Sequence, residues 1–160
     1  MAKSYVNAGL LLLRVGAGVA LISHGYPKLF GGEGKQAPAL LNKVYGKNFP
    51  AAVERSGPAA FAKALERMEV PRPELAAYAS AGVEFGGGVA LALGLATPIV
   101  APAILFNMLV AIRKAHWVNG FSGQGGFELA SLFALIVGAI TLTGPGRYSL
   151  DYLFRGATKN

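Results

Sequence analysis

The chain reads as all-α: an integral membrane four-helix bundle with a short amphipathic helix in the long loop between the first and second spans. Three observations predict this. Of its 160 residues, 53% are hydrophobic and only 14% charged, a balance more apolar than that of ordinary soluble domains. The apolar residues gather into four blocks, about residues 6–30, 75–96, 99–117 and 127–142, and a membrane-spanning helix takes ~20 residues. Glycine is abundant, with Gly82, Gly86, Gly87 and Gly88 clustered in the second block, where small side chains let helix backbones approach closely in lipid. The length predicts one domain over residues 1–160.

The first block, centred on LLLLRVGAGVALISHGYPKLF (10–30), reaches spanning length only by tolerating Arg14. That charge argues against a cleaved signal peptide, although Lys3 and the small pair Gly18 and Ala20 resemble one. The second block qualifies as a span outright. The third and fourth are short, and cross if Arg113 and Lys114 snorkel to the headgroups or the bilayer thins locally. Thr97-Pro98, the segment NGFSGQGG (119–126) and Gly144-Pro145-Gly146 supply the turns and the stop. Within the loop 31–73, the segment AAFAKALERME (59–69) places Phe61, Leu65 and Met68 on one face, a pattern for a helix on the membrane surface or capping the bundle.

Composition also excludes chemistries. The absence of cysteine removes disulfides, thiolate catalysis, Fe–S ligation and thiol redox cycling. There is no G-x-G-x-x-G, P-loop, H-E-x-x-H or G-x-S-x-G, so no flavin or nucleotide motif. Two histidines without paired spacing predict no metal. The net charge of +7 comes from scattered basic residues without a zinc-finger or RNA-binding signature, so the expected partner is the lipid bilayer and not nucleic acid.

Ionisable groups inside a bilayer are costly and mark sites by default. Four antiparallel spans would place the long loop and the NGFSGQGG turn on one face. His24, Lys28, Arg113, Lys114, His116 and Glu128 then fall near that face, with Arg14, Glu84 and Asn107 deeper. Arg14, His24 and Lys28 share a helical sector of about 80°, and the depths of Arg14 and Glu84 differ by roughly 7 Å, within reach of an arginine. Arg14 is therefore expected to pair with Glu84. Each residue also has a plainer reading. The pair could fix helix register, and Lys28 with His24 could cap the interface. Glu128 could offset a helix dipole, and His116-Trp117 could anchor the interface.

The runs LLLRVGAGVALISHGYPKLFGG, AGVEFGGGVALALGLAT and NGFSGQGGFEL, followed by LTGPGRYSLD, together resemble the DoxX family of small bacterial and archaeal four-helix membrane proteins. The likeness covers nearly the whole chain except the long loop. It falls on Arg14, His24, Gly25 and Lys28, on Glu84, Gly87 and Gly88, and on Asn119, Gly120, Gly126 and Glu128. The family resembles, and is named for, the membrane subunit of thiosulfate:quinone oxidoreductase. The resemblance implies a membrane oxidoreductase, or the membrane subunit of one, acting on a quinone (ubiquinone or menaquinone) with a small reduced donor of the sulfur type.

On that expectation His24, Glu84 and Glu128 are the catalytic candidates, and Arg14, Lys28, Asn107, His116 and Asn119 the substrate-binding ones. A second redox subunit or a homo-oligomer is the expected protein partner. The alternative is a non-catalytic membrane scaffold, or an assembly or stress-response protein, whose polar cluster is structural. The location implied is a bacterial or archaeal plasma (inner) membrane. Seven basic residues in the loop 31–73 against four near the termini (Lys3, Arg147, Arg155 and Lys159) put the loop in the cytoplasm.

Overall fold

The computed structural model describes residues 2–157, whose regular structure is helical, with no strand among them. In order, the helices are α1 (Ala2–Phe30), α2 (Ala39–Tyr45), α3 (Phe49–Arg55), α4 (Pro58–Arg67), α5 (Pro73–Leu93), α6 (Thr97–Ala111), α7 (Glu128–Thr143) and α8 (Leu150–Ala157). A π-helical turn (Ile112–His116) and a 3-10 turn (Trp117–Asn119) prolong α6. Three helical stretches are long and apolar enough to cross a membrane: Ser4–Phe30, Pro73–Leu93 and Thr97–Asn119. At 16 residues, α7 extends only about 24 Å, which is short of the ~30 Å hydrocarbon core. Large apolar side chains along these helices point outward, among them Leu12, Ile99, Phe106, Leu135 and Leu142.

The chain gathers into two compact units. The first holds the residues up to Val19 and those from Gly87 onward. In it α6 packs along α7, burying Ala101, Ile104 and Met108 of α6 and Ala130, Phe133, Val137 and Ile140 of α7. The backbone of α1 comes close to that of α5 at Gly18, where a Cβ would collide with the Gly88 carbonyl and Ala92.

The second unit, Ala20–Gly86, holds the rest of α1, the long loop and the start of α5. The expected amphipathic helix is present as α4, with Ala62 buried and Phe61, Leu65 and Met68 half-buried. The two seven-residue helices α2 and α3 precede it. Ala37, Phe49 and Val53 form a small core with Tyr26, Leu41 and Tyr45 packed against it. The loop therefore has an interior of its own. Burial in this core raises the Tyr45 phenol above its ordinary pKa.

The eighth helix was not anticipated from the sequence, because Gly144-Pro145-Gly146 reads as a stop with only a tail beyond it. Ser149 starts it: its Oγ accepts from the Tyr152 N–H at 3.2 Å, an N-cap that satisfies an otherwise orphaned helix donor.

Candidate functional site

In the second unit, Gly25 lies against the backbone of Glu84 and Phe85, and a Cβ on it would collide with the Phe85 nitrogen. Glycine is what lets α1 come this close to α5. Three residues further along α1, on the same side, Lys28 meets Glu84, and its Nζ donates to Oε1 and Oε2 at 2.7 Å each. The carboxylate is nearly inaccessible, with a side-chain exposure of 5%, whereas Lys28 keeps 28%.

The ammonium also lies over the Phe61 ring of α4, 4.7 Å from its centroid. Such contacts strengthen as the cation is desolvated. Beside the pair, Tyr26 has ring neighbours in Phe30 at 5.0 Å, Phe49 at 5.9 Å and Phe85 at 5.9 Å, and Phe30 meets Phe85 edge-on at 5.1 Å. A partly exposed cation is thus fixed between a buried carboxylate and the Phe61 ring. His24, one turn before Lys28, is exposed and makes a contact of its own.

The expected pairing of Arg14 with Glu84 is not what the structure shows. Glu84 takes Lys28, because the Gly25 crossing brings the lysine to the carboxylate. Arg14, fully buried in the first unit, donates from Nη2 to the Tyr148 carbonyl, and the Asp151 charge acts on it. Gly94 makes the room: its φ of +65° is a left-handed backbone, and a Cβ there would strike the guanidinium. Asp151 in turn accepts from the Ala96 and Thr97 N–H groups at 2.7 and 2.8 Å, and its own N–H donates to the Gly94 carbonyl at 2.9 Å. Arg14 thus ties α1 to the segment that leads into α8.

The remaining candidates lie in the first unit. His116 Nδ1 and the Asn119 side-chain amide meet the same Gly125 carbonyl, each at 2.9 Å. Together they brace the turn before α7, where Trp117 stacks on Phe127 at 5.2 Å. Glu128 opens α7 and is exposed. Asn107 is half-buried on α6 and has an interaction of its own. Sequence reasoning had passed over Phe61 and Asp151. Phe61 was legible only as an apolar position of an amphipathic helix, and Asp151 only as an acidic residue after a possible N-cap serine. Among the described residues no group of three or more His, Cys, Asp or Glu could hold a metal ion.

Comparison with known proteins follows the same residues. The family model described as DoxX matches residues 9–117, a stretch holding Arg14, His24, Lys28 and Glu84. A Bacillus subtilis (strain 168) protein named "Putative oxidoreductase CatD" is 29% identical over 157 residues, covering 98% of this chain and 94% of that protein. No solved structure matches the chain.

Proposed function

We propose, from the premise that this chain belongs to the DoxX family, that it is an integral membrane oxidoreductase, or the membrane subunit of one, with a quinone bound at Lys28 and Glu84. The spans would form a four-helix bundle, with α7 as the short fourth member. The name of the Bacillus subtilis relative supports the reaction class. The observation that carries the site is Lys28, fixed 2.7 Å from the Glu84 carboxylate and 4.7 Å from the Phe61 ring centroid.

A quinone offers a planar ring and two oxygens that gain negative charge on reduction. Phe61, Phe30 and Phe85 supply ring faces and edges for the former. Lys28 supplies positive charge already aimed, which stabilises developing charge without reorganisation. Glu84 holds the ammonium in position. His24, one turn before Lys28, would pass the protons, since imidazole titrates nearest neutrality.

Conversion of a quinone to a quinol takes two electrons and two protons. The electrons would come from a small reduced donor of the sulfur class, directly or through a second subunit. The loop 31–73 would face the cytoplasm, and a reporter fused at the C-terminus tests that orientation.

Purified protein in liposomes should bind ubiquinone or menaquinone and lose that binding in Lys28→Met and Glu84→Gln. Retention of full affinity in both variants would overturn the assignment. A structural role is the second reading, and Arg14 favours it: a residue expected to meet substrate is instead engaged with the chain's own Tyr148 carbonyl. On that reading Lys28→Met with Glu84→Leu keeps both fold and cellular phenotype.

A further inference from the structure

The end of the first unit carries a feature that the redox site does not use. Between the Gly144–Arg147 turn, Asn7 of α1 and Tyr152 of α8 lies a cavity of about 260 Å³, also lined by Thr143 and Asp151. The Arg147 N–H donates to the Asn7 side chain at 2.8 Å, which ties the turn to the first turns of α1. The Arg147 guanidinium lies over the Tyr152 ring, 5.3 Å from its centroid. The Asp151 carboxylate is turned to the Ala96 and Thr97 N–H groups, so the charge left to face a ligand here is that of Arg147.

The depth of the cavity follows from its walls. The spanning stretch of α1 begins at Ser4, α7 ends at Thr143 and α6 begins at Thr97. All three ends are joined through residues 146–151, so the cavity sits at the boundary where apolar helices give way to headgroups. Helix α8 lies at that level, and Tyr152, Leu153 and Phe154 are exposed on it.

We propose that residues 143–154 form a binding site for an anionic phospholipid. Arg147 takes the phosphate in the cavity, and Leu153 and Phe154 of α8 lie among the upper acyl chains. An apolar face alone would suit many partners. A cation at headgroup depth beside exposed leucine and phenylalanine is the complement of a lipid that is charged at its head and apolar below it.

The site presupposes that the chain spans a bilayer, and the experiment separates the two claims. Trp117 is the sole tryptophan, so Trp117→Phe gives a silent background for single reporters. Phe154→Trp and Leu153→Trp report on α8, and Leu135→Trp reports on the middle of α7. Each is reconstituted in vesicles of phosphatidylcholine and phosphatidylglycerol with brominated acyl chains. Quenching at all three positions is the expected result. Quenching of the Leu135→Trp protein alone overturns the lipid site and leaves the spanning intact, and quenching of none overturns both.

In detergent, the full chain should retain phosphatidylglycerol over phosphatidylcholine when examined by native mass spectrometry. Arg147→Gln should reduce that preference about fivefold, the worth of one basic residue at an anionic surface. An unchanged preference in Arg147→Gln, or displacement of the lipid by inorganic phosphate, would refute the assignment.

Discussion

Removing Lys28 should damage the protein more than removing the charge of Glu84, although the two form one ion pair. The asymmetry comes from their surroundings. Glu84 has 5% of its side chain exposed and Lys28 has 28%. In Lys28→Met the carboxylate stays buried without its counter-charge, a loss of about 3–5 kcal/mol. In Glu84→Gln the ammonium can still reach water and keeps the Phe61 ring, and the loss is about 1–3 kcal/mol. The double variant Lys28→Met with Glu84→Leu leaves no charge to solvate and should lie close to wild type. For a chain of this length, ~2–4 °C accompanies each kcal/mol, so Lys28→Met should lower Tm by roughly 6–20 °C. Thermal unfolding in detergent, followed by circular dichroism and Trp117 fluorescence together, measures this and tests for a single transition. A Glu84→Gln protein less stable than Lys28→Met, or a double variant as unstable as the worse single, would refute the reasoning.

Three further outcomes follow from the geometry. Gly25→Ala drives a Cβ into the Phe85 backbone and should cost about 1–3 kcal/mol together with quinone binding; Gly9→Ala, in open space on the same helix, serves as the control in both assays. Asp151→Ala strips the acceptor from the Ala96 and Thr97 N–H groups. It also leaves buried Arg14 without the charge that acts on it and should cost about 3–5 kcal/mol, with hydrogen exchange rising first at the start of α6 and in α8.

The Tyr45 phenol, raised by burial, ties alkaline stability to the loop core. Its folded-state pKa lies above the unfolded one, so its contribution is complete below the ordinary phenol range and is lost as pH rises through the raised value. The absorbance difference between wild type and Tyr45→Phe should show one late-titrating phenol, and wild type should lose stability relative to Tyr45→Phe at the alkaline end. A phenol ionising in the ordinary range would contradict this.

What was legible in the sequence was whatever depends on local pattern. Apolar blocks of spanning length gave the long helices, and the period of Phe61, Leu65 and Met68 gave α4. The seven-residue helices α2 and α3 are too short for any period to declare itself, and their core forms only once Tyr26 of α1 joins Phe49 and Val53. The polar residues were recognised, but one partner was misassigned. Depth counting allowed Arg14 to reach Glu84, because it treats a helix as a ruler and ignores how closely two backbones approach. Gly25 decides that approach and hands the carboxylate to Lys28. Gly94 does the same for Arg14, opening a space that only a left-handed residue without a Cβ leaves free. Such glycines look alike in a sequence with 22 of them. Their roles become visible only with the partner helix in place.

The central claim, that a quinone ring sits against Lys28 within reach of Phe61, is tested most directly by a photoreactive quinone analogue. The full-length protein is reconstituted in liposomes, irradiated and digested for mass spectrometry. The account predicts labelled peptides from residues 24–30 of α1 and 58–67 of α4, with labelling suppressed by excess menaquinone and lost in the Lys28→Met, Glu84→Leu double variant. Labelling confined to other segments, or unchanged in that variant, would contradict it.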